Sequence, residues 1–267
     1  KATGTIAPQR RGPGGARRFM RMRYRHKRRL LVFLSIMGPG IITASVDQDA
    51  GGIATYSLAG AHYGYSLLWT LFFTTISLAV VQEMGSRMGV VTGKGLGELI
   101  RERYGVRAAV LILATVVLAN LTNTVAEFAG AAAAFEIFGI PRLLSVPLTA
   151  CFVAWLVIQG TYARLERVFL IASALYLLYV ISAFLATPPW GEVLLQTIRP
   201  SFHMDQDYLL MVITLVGTTI TPWMQFYVQS STVDKGLRWK EYKYARLDVI
   251  LGACVATGVA YFIIVAC

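Results

Sequence analysis

The chain has 267 residues, of which 56% are hydrophobic, and its mean hydropathy is +0.58. Soluble domains carry a smaller apolar share, so this composition excludes an ordinary soluble globular protein and indicates helices that face lipid. The formal net charge is +11, and the sequence has only 3 Cys and 3 His, without the spacing of a zinc or soft-metal centre.

Residues 1–30 form a basic tail that carries eleven Lys and Arg and no acid. A nucleic-acid-binding arm has a similar composition. A basic tail directly before a first membrane span is, however, the pattern that the positive-inside rule produces. We therefore predict a cytoplasmic N-terminus and no nucleic-acid partner. The first residue is Lys1 rather than Met, and we expect further residues upstream.

Long apolar runs predict seven membrane spans. In order they are 31–65 with a break in its middle, 67–88, 107–138, 143–159, 168–186, 208–230 and 249–267. With the N-terminus inside, the cytoplasmic loops are 89–105, 160–167 and 232–248. These loops are rich in Lys and Arg, whereas the outer loops carry little beyond Arg142 and Arg199. The charge bias agrees with the count at every turn.

Two of the predicted spans are interrupted at matching places. The first breaks at DQDAGG, residues 47–52, and the sixth at GTTITPW, residues 217–223. Five spans place the sixth in the opposite orientation from the first, as an inverted five-helix repeat requires, and paired breaks point to a midplane binding site. We predict an all-α polytopic membrane protein with a basic tail (1–30), a first five-helix repeat (31–187) and the start of a second, inverted repeat (188–267). Further helices are expected beyond Cys267.

The break in the first span places Asp47 and Asp49 at membrane depth. An acid near the bilayer centre costs ~2.5–3.5 kcal/mol, so it is retained for a partner or a task. No basic residue lies deep enough in a predicted span to pair with Asp49, so the expected partner is a cation. An alternative is that either acid only caps the helix that follows, but capping does not explain a cap at this depth.

A hard divalent cation suits the ligands that the two breaks offer. A carboxylate, carbonyl groups freed by unwound backbone around Ala50 and Gly51, and water form such a ligand set. Thr218 and Thr221 on the facing break can add carbonyl or hydroxyl oxygens. The sequence therefore predicts a dication site between the two breaks.

Several segments, taken in order, resemble the NRAMP family of transition-metal transporters. GPGIITASVDQDAGGIATYSLAGAHYGYSLLW resembles the family's first-helix region, with its GPG, DPGN, AT, AGA and GY-LLW pattern. GSRMGVVTGKGLGELIRERYG resembles the exit of the second helix, and PPWGEVL with GTTITPWMQFYVQS resembles the approach to the sixth. The resemblance spans about 38–231 and implies paired inverted five-helix repeats with unwound first and sixth helices, and divalent-metal import. The implied metal-site residues are Asp49, Val46, Gly52, Thr218, Thr221 and Asp47.

Departures from the family pattern bear on the cargo. Asp49 keeps the motif's aspartate, Gly52 replaces its asparagine, and Thr221 replaces the methionine before the sixth-helix proline. Loss of the thioether removes the soft ligand that favours transition metals. Mg²⁺ keeps several waters and takes one or two carboxylates, and the additional acid Asp47 attracts a hydrated dication. These changes resemble the NRAMP-related magnesium transporters, and we predict Mg²⁺ as cargo, with Mn²⁺ also admitted.

The groups for proton coupling also differ from the family pattern. Where the family has histidines after the sixth-helix proline, Trp223 follows Pro222, and Gln229 lies close to the second histidine position. Thr124 replaces the first acid of the third-helix pair, and Glu127 keeps the second. A proton relay needs titratable groups in series. We therefore predict transport that is not coupled to protons, with Glu127 as a structural part of the cavity.

Three alternatives stay open at this stage. The first is a proton-coupled Mn²⁺/Fe²⁺ transporter of the same family. The second is an amino-acid or organic-cation carrier of the same fold, although a substrate carboxylate is repelled by Asp47 and Asp49. The third is an intramembrane enzyme that uses these aspartates as an acid pair, although two acids at i and i+2 are poorly placed to share a water. We predict no enzyme activity and no cofactor, and the sequence leaves the oligomeric state open.

Overall fold

The computed structural model describes residues 48–159 and 174–267, and every regular element in these two ranges is helical. The helices are α1 (Ala50–Tyr63), α2 (Leu68–Thr92), α3 (Leu96–Glu136), α4 (Arg142–Gln159), α5 (Leu177–Leu185), α6 (Trp190–Ile198), α7 (Gln206–Thr219), α8 (Pro222–Asp234) and α9 (Tyr242–Ala266). Short 3-10 turns at Gly64–Leu67 and Ala174–Tyr176 precede α2 and α5.

Five helical stretches are long and apolar enough to cross a membrane. They are Ala50–Thr92, Leu96–Glu136, Arg142–Gln159, Gln206–Asp234 and Tyr242–Ala266. On α3 and α4 many large apolar side chains are exposed, as contact with lipid requires. The protein is therefore a multi-pass, all-α membrane protein, as predicted. Residues 31–47 of the first predicted span and 168–173 of the fifth lie outside the described residues.

Two elements differ from the spans expected from hydropathy. Helix α3 begins at Leu96, inside the predicted loop, and continues through a kink at Gly105, whose φ of 85° suits only glycine comfortably. Its first turns carry charged residues, so hydropathy does not distinguish them from a loop. Helix α6 occupies a predicted outer loop; it is short and buries Val193 while Leu194 and Leu195 stay exposed.

Helix α1 packs against α7 and α9 to form the core. Tyr56 and Ala59 of α1 are fully buried, as are Ala260 and Ile263 of α9. At Gly60 a Cβ would lie 2.5 Å from the Ile264 backbone oxygen, so the two helices meet backbone to backbone. This packing buries one face of α1 against α9.

Helices α2 and α8 run parallel and close together. A Cβ at Gly85 would lie 3.6 Å from the Gln225 backbone oxygen, and one at Gly89 would lie 2.9 Å from the Gln229 backbone oxygen. Both residue numbers rise together along the contact, which defines the parallel direction. The spacing of the two glycines, one helical turn apart, permits this approach.

Candidate metal site

Asp49 lies at the point where α1 begins. Its backbone is extended, with φ −74° and ψ 173°, and its Oδ1 accepts a hydrogen bond of 2.6 Å from the Gly52 amide. Asp49 is therefore the N-cap of α1, as the capping alternative predicts. The cap uses one oxygen of the Asp49 carboxyl group.

Glu127 of α3 meets the same helix terminus. Its Oε2 accepts a hydrogen bond of 3.3 Å from the Ala50 amide, while its Oε1 is buried with no hydrogen-bond partner in the described part of the chain. The Glu127 carboxyl therefore lies beside the Asp49 carboxyl, since both accept from amides in the first turn of α1. Gly130, one turn further along α3, makes the approach possible, because a Cβ there would lie 2.5 Å from the Ala50 Cβ.

The site therefore brings two carboxyl groups together beside a helix N-terminus. The amides of that terminus favour negative charge, but two adjacent carboxylates repel each other strongly where water is scarce. In the two described ranges, the Lys and Arg ion pairs are made with other acids, Glu83, Glu102 and Glu136. A bound cation or a shared proton would neutralise the pair.

The backbone at this break differs from the sequence expectation. Ala50 and Gly51 already belong to the first turn of α1, and the Ile53 amide donates to the Asp49 carbonyl at 2.9 Å. A helix N-terminus leaves amides free rather than carbonyls. The expectation that unwinding frees carbonyls around Ala50 and Gly51 is therefore wrong. The Gly52 amide is taken up by Asp49, and a metal-ligand role for Gly52 stays a prediction.

The second break lies between α7 and α8, and it is confirmed inside the predicted segment 217–223. Helix α7 ends at Thr219 and α8 begins at Pro222, so only Ile220 and Thr221 leave the helical conformation. Proline at the first helical position has no amide to leave unpaired. The Thr221 Oγ1 is buried and has no hydrogen-bond partner among the described residues, and Thr218 is half-buried at the end of α7.

Helices α1 and α7 are antiparallel, which brings the two breaks to the same end of the pair. The rings of Tyr63, near the end of α1, and Tyr208, near the start of α7, contact each other edge to face, with their centroids 5.5 Å apart. At the other end, the hydroxyls of Tyr56 and Thr219 are hydrogen-bonded at 2.8 Å. Beyond that hydrogen bond, α1 begins just after Asp49 and α7 ends before Thr221, so both breaks lie at this end of the helix pair.

Gln48 is a residue of the break that the sequence interpretation did not select. It is buried, its Nε2 donates to the Ala256 carbonyl of α9 at 2.9 Å, and its Oε1 has no hydrogen-bond partner within the described ranges. Its backbone carbonyl accepts a hydrogen bond of 3.2 Å from the Tyr176 hydroxyl. The available signal was an amide between two acids at membrane depth, where an unpaired polar group is costly.

Val46 and Asp47, two of the predicted metal-site residues, lie outside the described residues. In the ranges that the structure describes, no cluster of three or more His, Cys, Asp or Glu side chains could hold a metal ion. The described ligand candidates are therefore the two carboxyls of Asp49 and Glu127 together with neutral oxygens. Such a set suits a hard cation that keeps part of its water shell.

Comparison with known proteins decides the family. Residues 40–267 match the model of the Nramp family, described as natural resistance-associated macrophage protein-like. The chain belongs to the Nramp family. The match starts before the first break and includes both breaks.

Relatives of this Nramp chain include proteins named divalent metal cation transporter MntH. The one from Erwinia tasmaniensis is 32% identical over 83% of this chain and 55% of its own length. The one from Bacillus subtilis is 29% identical over 84% of this chain and 55% of its own length. The chain thus spans about half the length of the curated relatives it matches.

A solved structure shows the same fold. The manganese transporter of Eremococcus coleocola, in complex with an aromatic bis-isothiourea substituted compound, superposes with a TM-score of 0.75. Its sequence is 22% identical, and the match covers 87% of this chain and 51% of the other. The predicted fold class is thereby confirmed.

Proposed function

We propose that this protein is a membrane transporter, not an enzyme, and that it carries divalent metal cations through the site at Asp49, Glu127 and Thr221. The observation that carries the proposal is that the carboxyl groups of Asp49 and Glu127 accept hydrogen bonds from amides of the same helix terminus, with no basic partner in the described ranges. A dication neutralises both acids at once, whereas a single proton leaves one charge in place. The names of the relatives support the same cargo class.

Two cargoes follow from different observations. The absence of sulphur at Thr221, whose hydroxyl is buried and unpaired, favours a hard, hydrated ion such as Mg²⁺. The relatives and the solved structure that carry divalent-metal or manganese names favour Mn²⁺, with Fe²⁺ as its neighbour in ligand preference. Oxygen ligands bind both classes, so we propose that both ions are transported and that their ratio is set at Thr221.

We further propose transport without proton coupling and with the N-terminal tail (1–30) in the cytoplasm. The replacement of titratable groups by Trp223, Thr124 and Gln229 supports the uncoupled mechanism, and the basic loops support the orientation. The proposed repeats are 31–187 and 188–267. Glu127 keeps the second acid of the third-helix pair, so we measure coupling together with uptake.

The test is uptake of Mn²⁺ and Mg²⁺ into proteoliposomes that contain the complete protein, with a pH-sensitive dye inside. Asp49→Asn retains an N-cap acceptor for the Gly52 amide but removes the charge. We expect uptake to fall by about a hundredfold, as loss of a charged ligand costs ~3 kcal/mol. The dye should report no acidification during wild-type uptake.

Asp207→Asn is the matched control, because Asp207 is exposed at the start of α7, outside the site. Its uptake should equal that of the wild type. Undiminished uptake by Asp49→Asn would overturn the proposed site. Acidification of the vesicle interior would instead establish proton coupling and leave the site in place.

A further inference from the structure

The contact between α2 and α8 contains buried polar groups that the proposed site does not use. The contact surface, here named the α2–α8 seam, consists of Gln82, Ser86 and Gly89 on α2 and Gln225, Gln229 and Thr232 on α8. On each helix these residues are spaced i, i+4 and i+7, so they lie on one face. The close approaches at Gly85 and Gly89 show that the two faces meet.

Five polar atoms of the seam are buried without a hydrogen-bond partner among the described residues. They are the Gln82 Oε1, the Ser86 Oγ, the Gln225 Oε1 and Nε2, and the Gln229 Oε1. Gln82, Ser86 and Gln229 are 1%, 0% and 0% exposed. An unsatisfied buried polar group costs about 1–3 kcal/mol, so a cluster of them points to water or an ion.

The five buried polar atoms without a hydrogen-bond partner are mostly acceptors. Three are amide oxygens and one is a hydroxyl, while the Gln225 Nε2 is the only pure donor of the five. The Gln229 nitrogen donates to the Lys94 carbonyl at 2.8 Å, and since a carbonyl can only accept, the free atom of Gln229 is its oxygen. A cluster in which acceptors outnumber donors suits a hydrated cation better than an anion, because the bound waters of a cation point their hydrogens outward.

The seam continues directly from the candidate metal site. Thr221, whose buried Oγ1 is also unpaired, lies one turn before Gln225 on the same face of α8. Gln225 and Gln229 of the seam therefore lie ~6 and ~12 Å from Thr221 along the helix axis. Helix α8 runs toward the basic loop at Lys94, which the charge bias places in the cytoplasm.

We propose that the α2–α8 seam is a second binding site for a partly hydrated dication, occupied after the ion leaves Asp49. Gln82, Ser86, Gln225 and Gln229 accept hydrogen bonds from the water shell of the ion. The seam has no carboxylate, so it binds the ion more weakly than the first site and releases it. This site rests on the proposed function, since it takes the same cargo.

The experiment measures equilibrium binding of radiolabelled Mn²⁺ to the complete protein in the Asp49→Asn background. Two dications at neighbouring sites repel, so the first site is disabled to expose the second. We expect weak residual binding, which Gln225→Leu and Ser86→Ala each reduce by about tenfold. Gln225→Glu should strengthen the binding by about tenfold or more, because it replaces a neutral acceptor with a charged one.

Ser77→Ala is the matched control for Ser86→Ala on the same helix. Ser77 is exposed and its hydroxyl donates to the Phe73 carbonyl, so its loss should leave Mn²⁺ binding unchanged. The gain expected from Gln225→Glu cannot result from damage to the fold. If Gln225→Glu binds no more Mn²⁺ than Asp49→Asn alone, the seam site is overturned, even where Asp49-dependent uptake stands. If wild-type vesicles take up no dication while the seam variants change binding as expected, the proposed function fails and the seam site stands.

Discussion

At the scale of single residues, the site depends on the pairing of Asp49 with Glu127. One oxygen of the Glu127 carboxyl accepts a hydrogen bond from the Ala50 amide. The other oxygen is buried and has no hydrogen-bond partner among the described residues. The sequence predicts Glu127 as a structural part of the cavity but does not predict its contact with the start of α1. With that contact, we propose that the carboxyl has two tasks: it accepts the amide at the start of α1 and it supplies a ligand to the proposed ion site.

We predict that Glu127→Gln separates these tasks. The side-chain amide oxygen of the variant can still accept a hydrogen bond from the Ala50 amide, so the start of α1 is retained. The variant lacks the carboxyl group. Half-saturating Mn²⁺ in vesicle uptake should rise by about tenfold, because one charge-assisted interaction of ~1.5 kcal/mol is removed. Glu192→Gln, on the exposed start of α6, is the control and should leave uptake as in the wild type. An unchanged half-saturating concentration in Glu127→Gln would exclude Glu127 from the ion site.

At the scale of helices, close contacts at glycine set the position of the site. Gly130 allows α3 to reach α1 at Ala50, and Gly60 allows α1 to reach the backbone of α9. Helix packing in membranes depends on such contacts, since lipid offers no hydrophobic drive for association. The break in α7–α8, by contrast, is local and follows from Pro222.

We predict that Gly130→Ala destabilises the α1–α3 contact. The new methyl group would lie 2.5 Å from the Ala50 Cβ, and overpacking of this kind costs about 1–3 kcal/mol. The midpoint of thermal unfolding in detergent should fall. In the double variant, Ala50→Gly removes the Cβ with which the new methyl group clashes, so the midpoint of thermal unfolding should be restored.

Gly258→Ala is the control for this prediction, because a Cβ at that position of α9 meets nothing within 4 Å. Its unfolding midpoint should be unchanged or higher, since alanine favours a helix more than glycine does. A normal midpoint in Gly130→Ala would show that α3 can move aside without cost.

At the scale of the whole molecule, the helix directions determine the topology. Helices α2 and α8 are parallel, and α7 leads into α8, so the end of α2 lies at the same side as the end of α8. The segment before α7, which contains Met204, lies at the opposite side. From the basic loops we propose that the first side faces the cytoplasm.

We predict that cysteines introduced on these two sides react from opposite faces of the membrane. In a protein with Cys151, Cys254 and Cys267 changed to serine, Arg101→Cys should react with a membrane-impermeant thiol reagent only from the cytoplasm. Met204→Cys, at a position that is 91% exposed, should react only from outside. The cysteine-free parent should not react. Labelling of both positions from one face would refute the topology.

The sequence by itself determined the membrane location, most of the span positions, the interruption of the sixth span and Asp49 as the acid at the start of α1. These features follow from local properties: hydropathy over a window, the missing amide of Pro222, and the cost of a carboxylate in lipid. Local properties gave two wrong predictions. They placed the charged first turns of α3 in a loop, and they predicted free carbonyls at Ala50 and Gly51, which belong to the first turn of α1.

Only the tertiary structure decided which distant groups share the site. Glu127 reaches Ala50 across 77 positions of sequence, and Gln48 reaches Ala256 across 208. Such pairings depend on how closely two helices can approach, and therefore on glycines such as Gly130 whose role is invisible until a neighbour is placed beside them. The unpaired atoms of the α2–α8 seam follow the same logic, because an amide or hydroxyl lacks a partner only once packing has excluded water from it.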